Sequence, residues 1–424
     1  MSNYVLPGYY KLITATIRNY IGKELDIMPM LPSFSITESI ANDSIRGKLS
    51  MIDTIGLLED FPLRGEEKLT IEVEDPLQNK QIYKLFVYKI DNVTIKPSND
   101  GLTYDMHFVS EARWNAGTRR IIRSYEKEIS YIVKEIFNAT YLGAADKGIQ
   151  IEETDGTFRC VMPNYTPIQA MDFLCSRAYT EGSPSCSFRF FETNEKFWFV
   201  SDEYLIKSAV ENDLVKEFTY SDAIDKSGAQ FMDQMKNLVS LENPTRANSV
   251  ADLYSGGYTN NVIEIDIVKK KVTNKQYVYT NERDKYVKVD KKGNGTDVHS
   301  DAFSNAAFTS ENERKFLVVK DYTSIEDIVG QLRGEQFLPQ IISNRLAYRH
   351  HLNNTAVQAM CYGRLDLHAG QIINLRVPEF TSNSVNKTLN PQLTGNYILH
   401  DVTHSFDKDI FVTDMKLVKY DWST

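Results

Sequence analysis

The 424-residue sequence contains only four cysteines, Cys160, Cys175, Cys186 and Cys361, and no two of them form a C-x-x-C pair. That excludes a zinc ribbon and a redox dithiol, both of which need thiols at short spacing. So few thiols in so long a chain read as buried, free cysteines in a reducing compartment. Cationic charge is also in deficit: 48 Lys and Arg stand against 57 Asp and Glu, for a formal net charge of −9. A surface built to grip nucleic acid needs a clustered basic field, which this balance does not supply. An acidic surface would instead repel phosphate and let a duplex slide past. No apolar run approaches the roughly 18 residues that a spanning helix requires. The opening MSNYVLPGYYKLITATIRNY has no charged segment followed by an apolar one. No secretory leader and no membrane anchor are therefore expected, and the chain is expected in a cytoplasm-like environment.

Catalytic signatures are missing too. GxGxxG, Walker A, HExxH and GxSxG do not occur. The seven His are scattered. His400 and His404, four apart on a predicted strand and beside Asp401, are of types that suit a metal. Their expected role is plainer, as polar residues on the wet face of a sheet. Cys160, Ser185 and Cys186 have no His nearby in sequence, so nothing points to a nucleophile. The carboxylate pairs Glu66-Glu67 and Glu152-Glu153 read as solvated faces, the first forming a turn before a strand. No catalytic, cofactor-binding or metal-binding residue is assigned.

What is abundant is aromatic: 24 Tyr and 21 Phe, a composition that suits pleated, half-buried surfaces. Period-2 alternation predicts strands at Lys11–Arg18, Ser44–Ile52, Lys68–Val73, Gln81–Ile90 and Leu102–Val109, as in an antiparallel sheet wet on one face. After Trp114 the character changes. Ser124–Ala139 carries a helical stripe, Thr166-Pro167 opens a second helix, and Ser187–Glu192 and Lys196–Val200 read as short strands. Asp225–Asn260 is irregular, with a short helix over Asn248–Tyr254. Val262–Val268 is a strand, the lysine-containing stretch Lys269–Glu313 is a solvated loop, and Ile325–His351 is helical with breaks near Gly334 and Pro339. Strands return at Ala356–Tyr362, Gln371–Val377, Tyr397–His404 and Phe411–Val418, with a polar loop over Glu379–Gly395.

The first and last strand groups repeat. Laid without gaps, Asp91–Ser110 and His400–Lys419 are identical at six of 20 positions: Val93/Val402, Thr94/Thr403, Asp100/Asp409, Asp105/Asp414, Met106/Met415 and Val109/Val418. Upstream, KLTIEV (68–73) lies over IINLRV (372–377), each shortly after a glycine, Gly65 and Gly370. Two matches in the same order point to duplication of one β-domain. A duplicated sheet with open edges must pair or protect them. Pairing copy to copy within and between subunits closes a ring. Three subunits with four strands per copy give 24 strands, a circumference of about 115 Å and a diameter near 37 Å before tilt widens it.

The run GKLSMIDTIGLLEDFPLRGEEKLTIEVED (47–75) resembles the first tube domain of baseplate hub proteins of contractile-tailed phages. The matching residues are Gly56, Leu57, Leu58, Glu59, Pro62, Gly65, Glu66 and Glu67. The C-terminal stretch, with Gly370 before IINLRV and NYILHDVTHSF before FVTDMKLVKY, resembles the second. Related hubs occur in type VI secretion spikes and tail-like bacteriocins.

The resemblance implies an α+β, β-rich fold with two tail-tube-like antiparallel β-domains and inserted small α/β parts. The expected division is 1–112 (first tube-like β-domain), 113–205 (small α/β domain), 206–352 (strand of the second tube domain with an inserted loop and helical region) and 353–424 (remainder of the second). It implies a homotrimer in the virion baseplate, assembled in the host cytoplasm. Its partners would be the tail tube or a tube initiator, the central spike and surrounding wedge components, with DNA passing through the lumen unbound. It implies no enzyme and no cofactor. A hub of a related injection device is an alternative. A tail-associated cell-wall hydrolase, with chemistry in 115–205, is another, to be recognised by a dense polar cluster of shifted pKa in a cleft.

Overall fold

The computed structural model describes residues 6–61, 63–95, 101–141, 147–220, 231–245, 259–278, 314–319, 338–353, 356–379, 389–408 and 410–420. Seven strands come first: β1 (Lys11–Arg18), β2 (Glu24–Asp26), β3 (Ser33–Ser39), β4 (Arg46–Asp53), β5 (Lys68–Glu74), β6 (Lys80–Ile95) and β7 (Leu102–Ser110). A compact insertion carries β8 (Ile121–Lys127), β9 (Ile149–Ile151), β10 (Phe158–Tyr165), β11 (Phe188–Glu192) and β12 (Phe197–Ser201) among four helices. The rest supplies β13 (Lys216–Thr219), β14 (Leu238–Thr245), β15 (Thr259–Asp266), β16 (Lys271–Val278), β17 (Arg314–Val319), β18 (Ala356–Tyr362), β19 (Ile372–Arg376), β20 (Gly395–Asp407) and β21 (Ile410–Lys419).

One large sheet runs through both ends of the chain, in the order β14-β18-β21-β20-β3-β4-β7-β6-β5-β1-β2, with β19 and β13 branching from β20. The sheet is curled, and the fold is β-rich and antiparallel, as expected, except where β13 joins β19 in parallel. Within it the same four-strand path occurs twice: β4-β7-β6-β5 and β18-β21-β20-β19, every contact antiparallel. The registers agree. Phe86 lies opposite Val109 and Lys68, as Ile398 lies opposite Val418 and Ile372. Both long strands bulge at the same place, Val87/Lys89 and Leu399/Asp401. The Val87 N–H donates to the Glu67 carbonyl at 2.9 Å, just as Leu399 N–H donates to Gln371 at 2.8 Å.

These pairings bear out KLTIEV over IINLRV, whose buried sides Leu69, Ile71 and Val73 match Ile373, Leu375 and Val377. They also keep Asp105/Asp414, Met106/Met415 and Val109/Val418. The ungapped overlay fails on the other strand of the hairpin, where Ile90, not Val93, corresponds to Val402. Thirteen residues separate the paired Asp91 and Asp105, but only ten separate Thr403 and Asp414, because the first hairpin has a second bulge and a longer turn. Val93 is 54% exposed while Val402 is buried. The Asp100/Asp409 identity lies outside the described residues.

Other expectations need correction. The helical stripe begins only at Ile129. Ser124–Lys127 are strand, because they pair with Cys160, Val161 and their neighbours in β10. The lysine-rich stretch is not all loop: β16 pairs with β15 along its full length, and 279–313 lie outside the described residues. The break expected near Pro339 falls at the start of the helix Leu338–Asn353, whose first turn tolerates a missing N–H. The helix expected at Asn248–Tyr254 and the part of Ile325–His351 before Leu338 also lie outside the described residues. Thr166 caps its helix as expected, in a capping box with Gln169.

Three cores result. One fills the first β-half, with Phe34, Leu49, Tyr104, Met106 and Phe108 around it. It also takes Leu365, Phe406 and Phe411 from the second half. A second core lies under β18–β21, and a third inside the insertion. Phe34, Phe406 and Phe411 stack with ring centroids 4.4 and 4.1 Å apart. β4 passes so close to its neighbours at Gly47 that a Cβ would meet the Ser35 carbonyl and the Phe108 ring. We therefore expect Phe406→Ala to lower the free energy of unfolding by about 3–5 kcal/mol. Gly47→Ala should cost about 1–3 kcal/mol through overpacking. Urea unfolding midpoints of the two variants check both.

Candidate functional surface

Alternation along β3, β4, β7, β20 and β21 sends apolar side chains to the cores and polar ones to the opposite face. That second face is short and hydroxyl-rich across the middle: Ser33, Ser35, Thr37, Ser50, Thr403 and Ser405. Its groups bond across strands. Thr37 and Thr403 hydroxyls meet at 3.0 Å, Ser39 donates to Asp401, and Ser50 donates to Asp105 at 2.8 Å. Lys48 pairs with Asp105 at 2.8 Å and His107 with Asp91 at 3.0 Å. Burial opposes ionisation of Asp105, but hydrogen bonds from Asn92, Lys48 and Ser50 hold its pKa at about 2. On these strands the polar-face carboxylates of Asp105, Asp401, Asp407 and Asp414 outnumber the cations of Arg46, Lys48 and Lys416 by one. A shallow depression of about 410 Å³ lies on this face between β14 and β20, lined by Glu242, Asp401, Asp414 and Lys416 among others.

Where β20 meets β3, a buried polar knot ties the halves and the insertion together. Glu38 is fully buried and accepts from Asn194 N–H at 2.8 Å and Ala369 N–H at 3.3 Å. His368 Nδ1 lies 3.2 Å from its carboxylate, and Glu195 lies 3.6 Å from Nε2 on the open side. Burial alone would raise the Glu38 pKa, but the charge and hydrogen bond of His368 carry it below the usual range. His368 is raised in turn, Glu38 outweighing its burial. Gln81 donates to the Leu365 carbonyl at 2.5 Å, and Asp75 accepts from Leu365 N–H at 3.0 Å.

A second knot lies inside the insertion. Arg189 grips Asp202 at 2.5 and 3.0 Å, Ser187 donates to Asp202, and Ser185 donates to Glu203 at 2.5 Å. The helix Leu338–Asn353 closes over it, with Arg349 donating to Ser187 and Phe188 and Arg345 to Ser176. Burial raises Glu203 to about 7 and, with Arg189 adding to it, lowers Arg349 to about 9. These shifted groups are the kind a hydrolase would use, yet they are packed under a helix and not displayed in a cleft. Among the described side chains no His lies in the knot. Burial lifts the thiols of Cys175 and Cys186 to about 12, so both stay protonated. All four cysteines are buried and free, as their number suggested.

His400 and His404 do not lie on a wet face: the first is 7% exposed and the second fully buried. The bulge at Leu399/Asp401 turns His400 inward against Asp401, at 2.9 Å. His404 lies on the core side, against the Thr413 hydroxyl at 3.2 Å. Among the described residues no three His, Cys, Asp or Glu side chains converge as metal ligands. Glu67 is also more than a solvated turn residue. It is buried and accepts from the N–H groups of Arg64, Gly65 and Glu66, which builds the turn into β5. Sequence reasoning missed Glu38 and His368, since a lone Glu in SITES and a lone His in LDLHAG carry no spacing signal.

His404 makes stability pH-dependent. Burial lowers its pKa from 6.5 to about 4. Below pH 6.5 the unfolded chain takes up a proton there that the folded chain refuses. The contribution is therefore whole above 6.5 and lost as pH falls towards 4, by about 3 kcal/mol in all. His368 runs the other way, contributing fully below 6.5 and less as pH rises through its raised folded pKa. Urea midpoints from pH 7 to 4 should fall more steeply for the native chain than for His404→Gln.

No protein-family model and no curated protein matches the sequence. Solved structures do match in fold. A tail protein from Neisseria meningitidis MC58 superposes with a TM-score of 0.54 at 9% identity, over 97% of both chains. A 43 kDa tail protein of prophage MuSo2 from Shewanella oneidensis gives 0.48 at 9%, over 96% of this chain and 98% of that one. The Escherichia coli c3393 protein, a component of the type VI secretion system with structural similarity to T4 bacteriophage tail proteins, gives 0.41 at 9%, over 97% and 77%. Along nearly its whole length, the chain has the fold of the Neisseria tail protein, in keeping with its resemblance to baseplate hubs.

Proposed function

We propose that this chain is the structural hub of a contractile phage baseplate. Three copies would form a ring of pseudo-sixfold symmetry that joins the hexameric tail tube to the trimeric central spike. The observation that carries the reading is the repeated four-strand unit, joined edge to edge inside one chain by β3 and β20. A chain with two such units needs three copies to present six to a hexameric tube. The shared fold with a tail protein supports it. The insertion would face wedge components outside the ring. The protein would turn over no substrate, since the strongly shifted groups of the insertion are closed over by a helix and Glu38, His368 and His404 are buried. Its place would be the virion baseplate, assembled in the host cytoplasm.

The hydroxyl-rich, slightly acidic face of the central strands is the side we assign to the channel. Hydroxyls already bonded to one another, as Thr37 and Thr403 are, or to carboxylates, as Ser39 and Ser50 are, offer a passing duplex little to hold, and the surplus carboxylate repels its phosphates. Light scattering on the purified chain should give three times the 48.6 kDa chain mass. A chain that stays monomeric at every concentration, alone and with its spike, would sink the ring. The native protein should pass a duplex-DNA column unretained at physiological salt. A triple variant Thr37→Lys, Thr403→Lys, Ser405→Lys should be retained and released by salt. Equal behaviour of the two trimers would remove this face from the channel.

A further inference from the structure

β20 is longer than its partner on one side. Its start, Gly395–Ile398, pairs with β19, and Asp401–Asp407 pair with β3 of the other half. The equivalent strand β6 has the same surplus. Its start pairs with β5 as far as Phe86, and among the described residues no strand covers that edge from Lys89 to Ile95. Val93 and Ile95 are 54% and 70% exposed there. The equivalent of β3 is β14, which lies on β18 as β3 lies on β4 and whose other edge is likewise open along Leu238–Thr245 among the described residues. One chain thus holds a completed join and both halves of an uncompleted one.

We propose that Leu241–Thr245 of β14 in one copy pairs antiparallel with Asp91–Ile95 of a second copy, repeating between subunits the β3–β20 join. The inference rests on the ring reading and specifies its seam. The register follows from the template. Phe34 faces Phe406 within the chain, and their equivalents are Leu241 and Ile95. Both lie on the core side, so the exposed Ile95 gains an apolar mate. Glu242 then faces Thr94, and Thr245 faces Asp91. An independent observation fits. β6 has one extra residue at Asp91/Thr94, and β14 has one extra at Glu242/Thr245, where β20 and β3 have none. Two insertions that meet across one seam cancel and keep the register whole. Either alone would break it.

The test is disulfide trapping in the full chain carrying Leu241→Cys with Ile95→Cys, and separately Glu242→Cys with Thr94→Cys. Directly opposed strand positions meet the Cα separation a disulfide needs. The native thiols are buried and will not compete. The expected result is loss of most of the monomer band under oxidation, with two- and three-chain species and the joined peptides identified by mass spectrometry. A mis-registered pair, Leu241→Cys with Lys89→Cys, should stay largely unlinked. Light scattering on the same samples separates the two ideas. Trimers that link at neither registered pair overturn the seam and leave the ring standing. Monomers at every concentration, alone and with the spike, overturn both. The second pair guards against a Leu241 substitution that merely disturbs the core.

Discussion

A strand that outruns its neighbour leaves N–H and C=O groups that must find partners, and this chain is organised around that need. β20 extends past β19, and β3 takes up the surplus. Seven residue pairs across that join turn two sheets into one. The join aligns the polar faces of both halves, brings Phe406 and Phe411 into the core of the first half, and sets Glu38 against His368. Removal of the join would leave two half-sheets with raw edges, each a template for uncontrolled association.

The charged knot behind the join is a costly device unless it is complete. A buried carboxylate and imidazolium lose more hydration than a single contact returns, so such pairs persist only with further hydrogen bonds. Glu38 has them from Asn194 and Ala369, which belong to the insertion and to the second half. An apolar pair of similar volume would hold the halves together at least as well. It would not fix their register, because greasy contacts slide while bonds to specific N–H groups do not. The knot therefore reads as a device for alignment, with the hydrophobic stack of Phe34, Phe406 and Phe411 supplying the stability.

Much of this was legible in the sequence, for a physical reason. Alternation is set by which face of a strand meets water, so the strands of both tube-like halves stood out, and the repeat with them. β3 was missed because SFSITES holds only two apolar residues, Phe34 and Ile36, and places Glu38 on its buried side. β14 was missed because LVSLENPT carries a proline and an irregularity. Both are joining strands, read by partners far away in sequence and not by local propensity. The hairpin overlay failed on one strand because a bulge changes length without changing character. His400 and His404 were misplaced by the same cause: the bulge at Leu399/Asp401 resets which residues of β20 meet water, and both His fall on the buried side. Of the polar knots, only residue types were visible, since Glu38 and His368 meet across a separation of 330 positions.

Comparison of the two halves separates what the fold must conserve from what it can vary. The four-strand unit keeps its order, register and first bulge. The flanking strands do not: β1 runs antiparallel to β5, while β13 runs parallel to β19. Even the joining strands differ, Phe34 against Leu241 on the core side and Ser35 against Glu242 on the other. If the unit were conserved for packing alone, its core residues would be its most constant feature, yet Tyr104 answers to Thr413 and Phe108 to Leu417. What stays fixed is the geometry of the edges. That is the property a closed ring requires, because each edge must meet another at the same height and angle all the way round, whatever side chains fill the space behind it.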